Sequence, residues 1–413
     1  MEETERSSDR SLARRMLALL AIAELLGMSL WFTASAISPQ LREAWGLDAT
    51  QAAWLTTIVQ LGFVAGTAVA AVMNLADLIP ARTYFAVAAV LAAVANALLV
   101  AAPGYVVALV LRFLTGFFLA AVYPPAMKMV ATWYRAGRGL AIGTVVGALT
   151  LGKAMPYLSR AIGGQDAATV ILAASAGAVV AALLVLAGYR DGPYAFPRRP
   201  FSWRRVGAVV THRPTRLAIA GYLGHMWELY AMWALVALFF RDYLLARGAA
   251  ESTASTVAGV VGFGSIAMGA IGSVLAGAWA DRLGRERVTI WAMAVSGTCS
   301  LVIGWMTAAP APIVVAVALA WGFAIVADSA QFSAIVTEVA PEDAVGTALT
   351  LQTSLGFALT AGSIWLAAEI ASRIGWGLAF TLLAIGPALG IASMARLAAV
   401  RATGAPIPAT GRG

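Results

Sequence analysis

Twelve apolar runs, each about twenty residues long, divide this chain from near its start to near its end, and a soluble protein would have to hide all of them at once. They cover residues 16–38, 52–75, 83–102, 105–133, 139–160, 167–189, 215–240, 254–280, 288–308, 312–337, 346–370 and 376–395, and are numbered here as spans 1 to 12. A helix rises about 1.5 Å per residue, so such a run matches the hydrocarbon thickness of a bilayer. Composition agrees: 61% of the 413 residues are hydrophobic and only 12% are charged, about half the charged share of a soluble domain. The first run ends near Ala34-Ser35-Ala36 and resembles a signal peptide, but it is too long for an ordinary apolar signal core, so it is read as a retained helix.

The net charge is +8, yet the arginines form no face for nucleic acid; they lie between the apolar runs. Arg6, Arg10, Arg14, Arg15, Arg82, Arg135, Arg138, the 190–214 link, Arg282, Arg285, Arg287, Arg396 and Arg401 share one side. Only Arg42, Arg160, Arg241, Arg247 and Arg373 mark the other. The positive-inside rule then places both termini in the cytoplasm. The abundance of Ala and Arg beside only two lysines suits a GC-rich bacterium, hence a bacterial inner membrane. The single cysteine, Cys299, excludes a disulfide framework, and two histidines leave no metal cluster. No phosphate-binding glycine loop and no nucleophile–base pair at usable spacing is present, so the chain reads as no enzyme and calls for no cofactor.

The chain repeats itself. Gly116-Phe117 in span 4 is matched by Gly322-Phe323 in span 10, Gly139-x-Ala141 by Gly346-x-Ala348, and Asp77 by Asp281, at offsets of 204 to 207 residues. The expected architecture is an all-α membrane protein with twelve transmembrane helices in two pseudo-symmetric six-helix halves. Residues 1–189 form one half, 190–214 a cytoplasmic link rich in proline and arginine, and 215–402 the second half. A tail rich in Gly, Pro and Ala, 403–413, is expected to be disordered.

After span 8 the chain reads GAWADRLGRER, with Gly277, Asp281, Arg282, Gly284 and Arg285. This resembles the G-x-x-x-D-R-x-G-R loop of the major facilitator superfamily. An Asp at a helix end can accept bonds from the next helix's N-terminus, and arginines can pair across the bundle. The resemblance implies a gating latch made by these residues. The loop after span 2, NLADLIPAR, keeps Asp77 but has Leu78, Pro80 and Ala81 where Arg, Gly and Arg belong, with Arg82 one place later. RFLTG, from Arg112 to Gly116, is similar to the R-x-x-x-G pattern of proton-coupled members. YPPAMKMVATWY followed by RGLAIG looks like porters of small anions and organic acids, although the nitrate signature in spans 5 and 11 is missing.

A charge near the bilayer centre costs about 2.5–3.5 kcal/mol, so a chain that keeps several uses them. Here they are Glu24 in span 1, Arg112 and Lys128 in span 4, Lys153 in span 5, His225 and Glu228 in span 7, and Asp328 in span 10. Spans 1, 4, 7 and 10 line the central cavity in the family this chain resembles. Structural readings stand beside the functional ones. Arg112 could pair with Glu24, His225 could pair with Glu228 at i and i+3, and Asp328 could join Gln331 in a polar network. In the functional reading Lys153 and Arg112, with Lys128 nearer the surface, engage an anionic group. Trp31, Tyr123, Trp227 and Tyr230 wall its apolar body, and Glu24, His225, Glu228 or Asp328 carries a proton. The resulting expectation is a monomeric secondary transporter coupling a small organic or inorganic anion to protons. An exporter of drugs or cations, and a membrane sensor or enzyme without transport, are the alternatives.

Overall fold

The computed structural model describes residues 2–73, 75–134, 138–163, 166–194 and 202–402. The expected tail 403–413, link residues 195–201, Arg135 and the side chain of Asp77 lie outside what it describes. Among the described residues, ten helices are long and apolar enough to cross a membrane: Thr50–Val72, Ala81–Ala101, Tyr105–Ala131, Leu140–Ile162, Ala167–Gly188, Arg213–Leu245, Glu251–Leu283, Ala311–Val339, Val345–Arg373 and Trp376–Ala402. These are spans 2 to 8 and 10 to 12. Span 1, Glu2–Met28, and span 9, Arg285–Ile303, complete the twelve. Each of these two carries charge at its N-terminal end, which lowers its apolar average. A short helix, Trp203–Thr211, lies in the link.

The packing partners show the duplication directly. In the first half span 2 packs on 4, 3 on 6, 1 on 5 and 6, and 3 on 4. In the second half 8 packs on 10, 9 on 12, 7 on 11 and 12, and 9 on 10, which is the same pattern six spans later. The halves meet through spans 5 and 8 and through spans 2 and 11, a pair that the same repeat interchanges. The repeated Gly-Phe pairs serve these contacts. A Cβ at Gly116 would lie 2.0 Å from the Val59 carbonyl oxygen, and one at Gly322 would lie 1.7 Å from that of Ser265. Only glycine lets span 4 reach span 2, and span 10 reach span 8, at this separation. Val87, Leu91, Val94 and Leu98 on span 3, and Trp291, Val295, Val302 and Trp305 on span 9, leave apolar stripes exposed for lipid.

Three spans near the centre are broken. Span 1 does not run on to residue 38 as its hydropathy predicts. It stops at Met28, passes through turns at 29–32, and resumes as the short helices Thr33–Ala36 and Ser38–Trp45. Span 4 breaks between Leu119 and Tyr123, where Pro124 and Pro125 remove two backbone donors. Span 10 breaks at Asp328, the corresponding place in the second copy. Irregular backbone at this depth is tolerated only where protein or water satisfies its polar groups.

On the face opposite the termini the two halves are fastened. The Thr50 hydroxyl donates to the Glu369 carboxylate, joining span 2 to span 11. Within the first half, Arg160 at the end of span 5 donates to the Ala36 carbonyl at 2.9 Å. The Thr50 bond runs to a charged group, and such bonds contribute about 1.5–3 kcal/mol. Thr50→Val should therefore raise the open population on this face about ten- to a hundredfold, read as spin-label distances between the ends of spans 2 and 11. Distances unchanged from wild type would remove the fastening role of Thr50.

Candidate functional site

The site is built around Lys153. Gly152 packs against span 1 so closely that a Cβ there would lie 2.2 Å from the Leu25 carbonyl oxygen. That contact sets Lys153 on span 5 level with Glu24 on span 1. Lys153 is buried, and its ammonium lies over the rings of Trp31 at 4.1 Å, Tyr230 at 4.7 Å, Trp233 at 5.5 Å and Phe357 at 6.0 Å. It also donates to the Tyr230 hydroxyl. The aromatic faces attract the cation electrostatically, by about 0.5–2 kcal/mol each. Phe63 extends the cage, 4.4 Å from Phe357 and 5.2 Å from Trp31 between ring centroids. Spans 1, 2, 5, 7 and 11 thus enclose one cation at the junction of the two halves. The Tyr157 hydroxyl, donating to the Trp233 carbonyl at 3.0 Å, braces the wall.

Each buried acid has its own surroundings. Glu24 is buried with no hydrogen-bond partner on either carboxylate oxygen. The charged group acting on it is Lys153, and Tyr123 lies in its field. Glu228 accepts one bond on each oxygen, from Ser296 at 2.8 Å and from the Trp321 indole at 2.7 Å. His225 does not pair with Glu228 despite their shared helix face. Its Nδ1 lies 2.8 Å from Asp328 Oδ1, and its Nε2 is 2.8 Å from the Ser329 hydroxyl. The break in span 10 carries Asp328 and Ser329 to span 7, so this pair joins residues far apart in the chain.

Arg112 does not pair with Glu24 either. Its guanidinium donates to the Leu30 carbonyl at 3.1 Å, to the Trp31 carbonyl, to Asn96 Oδ1 at 2.9 Å and to the Leu55 carbonyl at 3.4 Å. It satisfies the carbonyls that the break in span 1 leaves without helical partners. Trp227 turns away from the cage and donates to the Leu382 carbonyl of span 12 at 3.2 Å. Tyr123 and Lys128 are half-buried on the part of span 4 nearer the termini.

The loop after span 8 forms a charge network within the second half. Arg285 lies 3.7 Å from Asp281 and 2.7 Å from Glu338, and donates to Gln331 at 2.6 Å. Arg401 from span 12 reaches Glu338 at 3.1 Å and also Glu286. Arg282 and Arg82 are exposed.

Charge alone did not single out Gln60 and Gln352, whose buried carboxamides lack hydrogen-bond partners. The signal available was the same as for the acids: a strong polar group inside an apolar run. Asn96, a carboxamide inside span 3, carried the same signal, whereas Phe63 and Phe357 carried none. Among the described residues no three His, Cys, Asp or Glu side chains gather as a metal site requires.

Two six-helix halves, twelve crossings and a caged charge at their junction define a solute transporter of the membrane. Residues 19–246, more than half of the chain, match the model of the Major Facilitator Superfamily, and the chain belongs to that family. No curated protein matches it. Among solved structures it is similar to the human organic anion transporter MFSD10 (TETRAN), with TM-score 0.70 and 15% identity over 92% of this chain and 99% of that one. It is also similar to a bacterial homologue of the human lysosomal transporter Spinster in an inward-facing, unoccupied conformation. There the TM-score is 0.63 and the identity 14%, over 95% of each chain. At these identities the likeness is one of fold.

Proposed function

We propose that this transporter moves a small organic or inorganic anion together with protons, by alternating access. It works as a monomer in a bacterial inner membrane with both termini in the cytoplasm. The observation that carries this reading is the Lys153 ammonium, buried at the junction of the halves among Trp31, Tyr230, Trp233 and Phe357. A cation held in low dielectric is a strong attractor for an anion and repels a cationic drug. The rings offer an apolar wall for the body of an organic acid, and Gln60 and Gln352 offer amide donors with no partner among the described residues. Arginine on the side of the termini supports the orientation, and the name of the human neighbour gives an organic anion as its own cargo.

The test is tracer flux in proteoliposomes with small carboxylates, sulfonates and inorganic anions, beside organic cations. At least one anion should be transported and should raise the melting temperature of the purified protein. Flux of cations alone would replace this reading with that of a cation exporter.

A further inference from the structure

The duplicated fold places two glutamates in corresponding positions. Glu24 on span 1 and Glu228 on span 7 are 204 residues apart, the same offset as Asp77 and Asp281. Their surroundings have diverged. Glu228 is closed off by Ser296 and Trp321, one donor to each oxygen. Glu24 is equally buried and accepts nothing. A carboxylate left bare at this depth is costly unless a cation answers it or a proton neutralises it. The groups around it are few. Span 5, whose Gly152 meets the Leu25 backbone next to Glu24, brings Lys153. Span 4 brings Tyr123, with Lys128 further along the same span. Span 6, the third element packed on span 1, contains no titratable residue between Ala167 and Gly188.

Resting on the anion reading above, we propose that Glu24 and Lys153 form a charge-exchange unit, in which a proton on Glu24 frees Lys153 for the substrate anion, so that one proton accompanies each monovalent anion. The charge balance is the argument. Ionised Glu24 beside Lys153 sums to zero. An anion added to that pair would leave a net negative charge in a site with little water. An anion added after a proton has neutralised Glu24 leaves zero again. Both states that cross the membrane are neutral, and the state that would uncouple them is the one the bilayer penalises. Glu228, whose two oxygens already have donors, takes no part in the exchange. Trp31, the nearest ring over Lys153, sits on the turn segment at 29–32 rather than within a helix, so the cage can admit an anion without unwinding a span.

The experiment uses the full chain in proteoliposomes, with imposed pH gradients and with potassium–valinomycin potentials. Benzenesulfonate and gluconate are the lead probes beside the wider anion panel, because neither crosses a bilayer readily as the free acid. Wild type should accumulate the probe in response to a pH gradient and ignore the membrane potential. Its apparent affinity should weaken about tenfold per pH unit once Glu24 ionises, since binding then requires uptake of one proton. Glu24→Gln should lose pH-driven accumulation, bind the anion independently of pH, and respond to membrane potential instead. Glu228→Gln should behave as wild type. Accumulation driven by the pH gradient in Glu24→Gln, or its loss in Glu228→Gln alone, overturns the exchange unit and leaves anion transport standing. Failure of every anion in the panel to move in wild type overturns the anion reading, and the exchange unit with it.

Discussion

In proteoliposomes Lys153→Met is expected to lower anion flux at least about a hundredfold while the protein stays folded. Removing one partner of a buried charge contact costs about 3–5 kcal/mol, and each 1.4 kcal/mol is about a factor of ten. Methionine is suited to the test. Its length is close to that of lysine, and its thioether is at home against aromatic rings. The cage of Trp31, Tyr230, Trp233 and Phe357 therefore keeps its filling and loses only the charge. Lys153→Arg should fall between the two, because a guanidinium stacks on aromatic faces but is planar and bulkier than an ammonium. A melting temperature close to wild type is the control. Flux in Lys153→Met within threefold of wild type would show that the anion is held elsewhere.

The spans were legible because lipid sets a simple rule of length and polarity, and twelve runs obeyed it. The duplication was legible at Gly116 and Gly322, where a backbone of the neighbouring span lies within a methyl group's reach. The break in span 4 was signalled by Pro124 and Pro125. The break in span 1 was not, because the stretch 29–32, Ser-Leu-Trp-Phe, holds neither proline nor glycine. Its cause lies in another span, where Arg112 takes the Leu30 and Trp31 carbonyls.

The same limit governed the charges. Each buried acid stood out by its cost, but its partner did not, since partners come from tertiary packing. Helical spacing favoured His225 with Glu228, whereas the fold joins His225 to Asp328 across two spans. Trp321 and Ser296, which satisfy Glu228, looked like ordinary residues of apolar helices. Gln60 and Gln352 were within reach of sequence reasoning once carboxamides are weighed like charges.

Arg112→Met is expected to have the largest effect on folding. The guanidinium is fully buried, and its donors answer the carbonyls of Leu30, Trp31 and Leu55 together with Asn96 Oδ1. Asn96 itself donates to the Ile171 carbonyl at 3.2 Å and to Ser175 at 3.0 Å. One side chain thus ties spans 1, 2 and 4 to spans 3 and 6. Methionine would leave the Trp31 carbonyl and Asn96 Oδ1 without donors where no bulk water can replace them, while the Leu30 carbonyl keeps the Thr33 hydroxyl at 3.0 Å and the Leu55 carbonyl keeps its place in the helix Ala49–Val72; hydrogen bonds to a charged group are worth about 1.5–3 kcal/mol each. The Trp31 carbonyl would then draw the segment toward re-forming the helix of span 1, which would carry Trp31 away from Lys153. The measurable result is a protein that fails to purify as a monodisperse species, or that melts about 3–7 °C below wild type. That shift corresponds to about 3–6 kcal/mol in a chain of this size. Asn96→Leu should weaken the same network less, and the double variant should cost less than the two single changes added together, because they share one set of bonds. The discriminating result is Arg112→Met with a wild-type melting temperature, for then the break in span 1 would hold itself open without the guanidinium.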